Sequence, residues 1–592
     1  MKAQNSTSKR RSHIRKILLI VGFILVLLAL LVGLHLADKH SAEPRQTAHA
    51  LAENGDILHQ HWVMPGAELQ SDGLHVTYTD QKIVEQNATG GQPNPPINLG
   101  GTHLLVTGDF SVSATMQTMP GAALQLYGQV PLVSDEFRVE RPSIRFTIAN
   151  DHTLAVAMWD GSPAHDLANP APTLTQAFTF TPGDNLKLTM QRQNGQLAIV
   201  LNGKTAGEIS EHGVFSSGQV WFGADSEQPG ATWVLSHLAA TKLSSSTSIQ
   251  TLDGADIRVA ASPQGLQTLA TAKRPGFLVG TALAPAPLYS DATYQKTFFG
   301  NFGMFTPENA LKRQFIEPQP GQYHFAPMDA LIALAKQNDI THINGHALIF
   351  GEANPAYLTN MATNTFAARQ AVEQNMDNYI STVVGHFKGR ITSWDVVNEP
   401  LADYDTFDET SGHIYRDHTY YHAMGESYIA EALRTAHAAD PNAALYINEY
   451  GLEQNGPRWD TMLALVTSLK QQGAPLTGIG FQAHEYEASD KIDTNVLKAH
   501  FKQLAALGLN ARISEMDVYD DDGQQVQATQ YSAVLDACIS DRTCVSYTTW
   551  GFDNEYDLWQ DDNRQLQYGK TLLWDGDKPT PAVAAMRAAL QK

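Results

Sequence analysis

Three patterns of apolar and polar residues follow one another along the chain. Ile17 to Leu34 is a run of eighteen residues without a charge or a strongly polar side chain, followed by His35, Leu36 and Ala37 and then by Asp38. At about 1.5 Å rise per residue, a helix of that length spans about 27 Å, close to the hydrocarbon thickness of a bilayer. Signal-peptide apolar cores usually run about 7–15 residues, so residues 17–37 are expected to form a transmembrane anchor, or a signal peptide if the leader is cleaved. From residue 56 to 243 the pattern has period two. Phe110, Val112, Ala114 and Met116 alternate with Ser111, Ser113, Thr115 and Gln117, and Leu186, Leu188 and Met190 repeat the motif. Asn194-Gly195 and Asn202-Gly203 flank Leu197 to Leu201, which predicts successive hairpins with tight primed turns. No long amphipathic helix interrupts this region, so it is expected to be an all-β sandwich.

Ser244 to Ser248 (SSSTS) is a polar stretch, and the pattern changes beyond it. After residue 259, short β-rich runs alternate with helical stretches such as Met328 to Gln337 and Tyr428 to Ala438. The expected strands are Gly276–Leu283, Phe302–Thr306, Thr341–Ile349, Thr392–Glu399, Ala444–Tyr450, Gly478–His484, Ala511–Asp517 and Val545–Phe552. Eight βα repeats point to an α/β TIM (β/α)8 barrel over residues 259–592. A doubly wound sheet needs fewer strands, and no glycine-rich phosphate loop follows the first one. The expected organisation is a multidomain chain: a basic tail (1–16), the apolar segment (17–37), a linker (38–55), the sandwich (56–243), a second linker (244–258) and the barrel.

Charge sharpens this division. The chain has 40 Lys and Arg against 61 Asp and Glu, a net −21. Residues 1–16 hold Lys2, Lys9, Arg10, Arg11, Arg15 and Lys16 and no acid, so the remainder carries 34 basic against 61 acidic groups, a net −27. An acidic body argues against a nucleic-acid partner, since phosphate binding needs a basic footprint. The positive-inside bias keeps the tail cytoplasmic and sends everything after residue 38 across the membrane. The expected localisation is a single-pass membrane anchor with an extracytoplasmic body, or a secreted protein if the leader is removed.

Barrel chemistry lies at the C-terminal ends of the strands. Those positions carry Glu308, Asn309 and Lys312 after strand two, His346 in strand three, and Asn398-Glu399 at the end of strand four. Gln482 and His484 follow on strand six, Glu515 on strand seven and Trp550 on strand eight. Glu399 and Glu515 lie 116 residues apart in sequence, yet a closed barrel brings both to one pocket. Paired carboxylates beside an amide and an imidazole suit glycoside hydrolysis, in which one acid protonates the leaving oxygen and the other attacks or activates water.

Four segments then resemble a known family. Thr306 to Lys312 (TPENALK), Trp394 to Pro400 (WDVVNEP), Gly478 to His484 (GIGFQAH) and Ser514 to Asp517 (SEMD) are similar, in order and spacing, to the signature segments of glycoside hydrolase family 10, the retaining endo-β-1,4-xylanases. The resemblance covers residues 259–592. It implies Glu399 as general acid/base, Glu515 as nucleophile, and His484 backed by Asp517 as the support of Glu515. It further implies Asn398 at the sugar 2-hydroxyl, His346 and Gln482 along the reacting sugar, Glu308, Asn309 and Lys312 at the next sugar on the non-reducing side, and Trp550 and Trp559 over the pocket. The partner would be xylan or a related β-1,4-glycan, with no cofactor and no metal. Cys538 and Cys544 sit where many members of the family carry a disulfide, which implies one bridge; two separate buried thiols are the alternative. The sandwich more weakly resembles concanavalin-type, laminin-G-like jelly rolls. Such a module can bind sugar through exposed aromatics, with Trp159, Trp221 and Trp233 as candidates, or can serve as a spacer or docking domain.

The sequence also departs from the family. Phe350 and Gly351 stand where Trp and a second His are usual, and Arg313 stands where Trp is frequent. Losing an indole and an imidazole beside the reacting sugar changes the wall and keeps the catalytic pair. Retaining chemistry is therefore better supported than any one polymer, and a membrane-tethered polysaccharide-binding protein with little turnover is the competing expectation.

Overall fold

Eight parallel strands close on themselves in the C-terminal half of the chain. In the computed structural model, which describes residues 48–592 apart from 65, 78–100, 129–141, 161–173, 182–184, 229–230, 487–489, 521 and 558–568, they are Leu278–Leu283, Met304–Pro307, His342–Gly345, Ser393–Asn398, Ala444–Glu449, Gly478–Phe481, Asn510–Val518 and Cys544–Thr549. Each pairs with the next, and the eighth returns to the first from Leu278↔Ser546 to Thr281↔Thr549, which completes the barrel. The helices between strands owe their form to one buried stripe each. Ser427–Ala439 buries Tyr428, Ile429, Ala432, Leu433 and Ala436, a three-to-four-residue spacing that puts one face on the sheet. Phe366–His386 begins where the Thr365 hydroxyl accepts from the Ala368 N–H at 3.1 Å, an N-cap that satisfies an otherwise unpaired donor.

All eight expected strands are present, but two are broken. The run at 341–349 forms His342–Gly345 and then Ile349–Phe350, which pairs farther along strand four at Val397 and Asn398. The run at 478–484 stops at Phe481, and His484–Glu485 re-pairs with Asp517 and Val518 of strand seven. Ala483 has a left-handed backbone (φ 64°), which interrupts the ladder between the two pieces. A continuous apolar pattern carries no mark of such a break.

The middle of the chain forms two antiparallel sheets, of eight and seven strands, around one apolar core. Phe110, Val112, Ala114 and Met116 point into it, as the alternation requires, while Ser113, Thr115 and Gln117 remain partly accessible. Asn194 and Gly195, and Asn202 and Gly203, all have positive φ and turn the hairpins between Asn185–Gln193, Gln196–Leu201 and Lys204–Ser210. The two expected linkers are partly strand. Ser248–Asp253 pairs with Thr102–Thr107 along its whole length, and His49–Ala50 pairs with Ser248–Asp253 in turn. Ile249 and Leu252 are buried on opposite faces of this strand, and Ile249 joins the sandwich core.

The segment that follows is fastened to the barrel. Gln337, ending the helix Ala326–Gln337, donates to the carbonyls of Ala255 (2.6 Å) and Ile257 (3.0 Å), and Asn338 accepts from the Val259 N–H at 2.8 Å. Tyr127 and Trp221 of the sandwich belong to the same apolar cluster as Ile257, Phe277 and Leu288 at the start of the barrel. The apolar run at 17–34 lies outside the described residues; among those described, no helix is long and apolar enough to cross a membrane.

Candidate active site

Strands four and seven carry the two glutamates to a shared cleft with a volume of about 700 Å³. Glu399 follows strand four in a left-handed conformation (φ 50°), an unfavourable state for a side chain longer than Asn, and its N–H is held by the Asn448 carbonyl at 2.8 Å. Its Oε1 accepts from Gln482 Nε2 (3.0 Å) and Asn398 Nδ2 (3.3 Å), and its Oε2 accepts from Arg416 Nη2 (2.9 Å). Burial raises the Glu399 pKa above the usual glutamate value; Arg416 and Gln482 oppose this, and Glu352 and Glu515 add to it.

Glu515 sits in a different field. Asn448 Nδ2 donates to its Oε1, and His484 Nε2 lies 3.3 Å from its Oε2. The other ring nitrogen of His484 is 2.9 Å from Asp517 Oδ1. Burial works against a charge on the imidazole, but Asp517 and Glu515 outweigh it and raise its pKa well above the ordinary histidine value. A doubly protonated ring can donate to both carboxylates at once. Environment thus separates the two glutamates: one is pushed toward its neutral form by burial, and the other faces an imidazolium.

Amides join the two halves of the site. Asn448, at the end of strand five and fully buried, donates to Asn398 Oδ1 (2.8 Å) as well as to Glu515, and its own oxygen accepts from Ser514 Oγ at 2.6 Å. Gly480 makes room for it, because a Cβ there would lie 2.2 Å from Asn448 Oδ1. One strand away, Asp395 receives His346 Nδ1 (3.0 Å) and Asn344 Nδ2 (2.7 Å) and contacts Arg512. Burial alone would raise the Asp395 pKa, yet Arg512 and His346 hold it below the usual value. That anion orients His346 edge-on to Trp550, ring centroids 5.1 Å apart.

Lys312, His346, Asn398, Gln482, His484 and Trp550 all line the cleft with the glutamates. Asp517 is buried behind His484. Glu308 and Asn309 are buried after strand two, and only Lys312 of that trio lines the cleft, with its ammonium 5.8 Å above the Phe350 ring. Trp559 lies outside the described residues. Cys538 and Cys544 are bonded to each other. Arg313 is turned away from the cleft into a buried cluster with Glu317, Tyr357, Asn375 and Tyr420, over the face of Tyr379. Of the sandwich tryptophans, Trp221 and Trp233 are fully buried and Trp159 is half-buried. Stacking on sugar therefore does not extend to the first two.

Sequence reading missed Asn448 and Glu449, although the strand-end rule applied to strand five would have found them. Glu449 is buried and its pKa is pushed up to about 8, with Arg458 opposing the burial. It also missed Arg416, Asp403, Tyr404, Tyr450 and Tyr486, which stand in or at the start of loops with no motif to mark them.

The family model for glycosyl hydrolase family 10 matches residues 266–589. Endo-1,4-beta-xylanase A of Phanerodontia chrysosporium is 36% identical over 298 residues, covering 49% of this chain and 69% of that protein. Endo-1,4-beta-xylanase B of Thermotoga neapolitana is 30% identical over 307 residues, covering 50% of this chain and 84% of that one. Among solved structures, xylanase 10B from Thermotoga petrophila RKU-1 in complex with xylobiose shares 29% identity at a TM-score of 0.50, over 55% of this chain and 97% of that one. With the barrel, the paired glutamates and more than half of its length matched, the chain belongs to glycosyl hydrolase family 10.

Proposed function

We propose that this family 10 glycosidase is an endo-1,4-β-xylanase acting by retaining double displacement. The observation that carries the reading is the contrast between Glu399, raised toward its protonated form, and Glu515, clamped between Asn448 and a charged His484. In the first step a Glu515 oxygen attacks the anomeric carbon, the bond to the leaving oxygen breaks, and the Glu399 proton passes to that oxygen. Glu399, now ionised, takes a proton from water as the water oxygen attacks the same carbon. The ester to Glu515 breaks, and sugar is released with its β configuration restored. Asn398 would grip a 2-hydroxyl as positive charge develops. Proton NMR of the first product from xylan or an aryl β-xylobioside tests the proposal. The β-anomer is expected first, and Glu515→Ala should abolish release; an α-anomer first, or equal rates in wild type and variant, overturns it.

The same reading extends to the whole chain. The charge-free run at 17–34 behind a wholly basic tail supports a single-pass anchor with the catalytic body outside the cytoplasm. Two antiparallel sheets around one core support a jelly-roll assignment for the middle domain, and the burial of Trp221 and Trp233 favours a spacer or docking role over sugar capture. Membrane fractionation of the full chain is expected to place activity in the membrane pellet, with loss to the supernatant when residues 1–37 are removed.

A further inference from the structure

Arg416 lies in the loop after strand four and is almost fully buried. Its guanidinium makes a dense set of contacts. Nη2 donates to Glu399 Oε2 (2.9 Å) and Asp403 Oδ1 (2.6 Å), Nη1 contacts Glu352 and lies 3.3 Å from Asp403 Oδ2, and Nε donates to the Glu399 carbonyl at 3.0 Å. The side chain reaches this place across Gly351. A Cβ at position 351 would come within 2.6 Å of Arg416 Cδ and 3.3 Å of the His418 ring. The glycine is therefore the opening through which the arginine meets the acid.

We propose that Arg416, admitted by Gly351, is the positioning residue that holds Glu399 and sets the pH at which it gives up its proton. This rests on the reading of Glu399 as the acid/base. In a retaining cycle that carboxyl must be neutral in the first step and ionised in the second. A fixed cation at hydrogen-bond distance stabilises the ionised state and keeps the buried carboxyl from being locked in its neutral form. Glu352 and Asp403 occupy the outer side of the guanidinium, so the cation is partly neutralised there and its pull on Glu399 is moderated. The other groups facing Glu399 are Glu515 with His484 and Asp517 behind it, from strands seven and six, and Glu449 with Arg458, from strand five and the helix after it. Glu352 and Glu515 favour its neutral form, which leaves Arg416 as the cation in direct contact that acts the other way.

Step one needs protonated Glu399, so kcat/KM on xylan falls as pH rises through its pKa. Removing the cation raises that pKa and moves the alkaline limb upward, on the order of one to three pH units for an opposite charge at contact distance. The test compares wild type with Arg416→Gln, Arg416→Lys and Gly351→Ala. Arg416→Gln should shift the limb upward, Arg416→Lys should restore most of it, and Gly351→Ala should shift it in the same direction by pushing the intact arginine off Glu399. On a dinitrophenyl β-xylobioside, whose leaving group needs no proton, the limb should be insensitive to all three. A uniform loss of rate with an unmoved limb in Arg416→Gln and Gly351→Ala overturns the proposal. Carbon NMR titration of the Glu399 carboxyl decides it if either variant is too slow to assay, an unchanged titration counting against it. A wild-type protein inert on every β-1,4-glycan refutes the functional reading instead, and is distinguishable because no limb then exists to move.

Discussion

Burial shifts Glu399 toward its neutral form, and the neighbouring carboxylates shift His484 toward its charged one. The proposed role of Glu399 is that of an acid, and its pKa is raised, chiefly by burial. The alkaline limb of kcat/KM on an unactivated substrate should therefore lie above the ordinary glutamate range, and Glu399→Ala should flatten it. That variant should retain kcat/KM on aryl glycosides with good leaving groups, whose first step requires no proton, while kcat falls because the second step loses its base. His484 is shifted the same way, but its favoured form is the charged one. Its raised pKa means that its charged form stabilises the fold below the ordinary histidine value, and this contribution is lost as pH rises through the raised one. His484→Ala should cost about 10- to 100-fold in kcat/KM, the usual effect of removing a group that orients a reacting one. Asp517→Asn should cost less, because the ring remains, and the steady-state kinetics of the two variants check the order. Most of this constellation is legible in sequence because strand ends fix where a side chain emerges, so Glu399, Gln482 and Glu515 could be placed from the pattern of strands alone. Arg416 could not. It stands seventeen positions beyond Glu399 in a loop, and its contact depends on the space that Gly351 leaves.

Elements position these residues through a few close approaches. Strands five and six come together at Asn448 and Gly480, where the absence of a side chain lets the amide reach both Asn398 and Glu515. Gly480→Ala should therefore displace Asn448. The expected cost is about 1–3 kcal/mol from overpacking, with a fall in kcat larger than the change in KM, because the amide bears on Glu515, the proposed nucleophile, rather than on distant sugar. Thermal melts and steady-state kinetics on the same preparation separate the two effects. The bridge between Cys538 and Cys544 joins the end of the helix Gln524–Ser540 to the first residue of strand eight, with a sequence separation of 6. So short a loop gives about 2 kcal/mol by the chain-entropy estimate. Cys538→Ser should lower the melting temperature by a few degrees and leave kcat nearly unchanged, since strand eight reaches the site at its other end. The pattern of apolar residues located these strands and helices, yet it ran through the breaks at 346–348 and 482–483. There, local backbone conformation and re-pairing with a neighbouring strand override the period-two signal.

At the scale of the whole molecule, sequence separates sandwich from barrel more cleanly than the structure does. The serine- and threonine-rich stretch reads as a linker, but Ser248–Asp253 completes a sheet, and the next residues are gripped by Gln337 and Asn338 of the barrel. Composition alone hides this, because the alternate buried positions of the strand are Ile249 and Thr251, and a threonine there reads as polar. The two domains also share apolar packing. Trp221 stacks on His103 at 3.8 Å and, with Tyr127, joins the barrel's cluster, where a free sandwich would expose both aromatics. Removing a buried tryptophan typically costs about 3–5 kcal/mol, and here the loss falls on the contact between domains. Calorimetry of the chain without residues 1–37 should show one cooperative transition, and Trp221→Ala should split it into two with the earlier one at lower temperature. Activity measured well below both transitions should survive if the barrel keeps its own fold once the sandwich is loosened. A single transition displaced as a unit would mean instead that the tryptophan stabilises the sandwich alone, and that the grip of Gln337 and Asn338 is enough to couple the two domains.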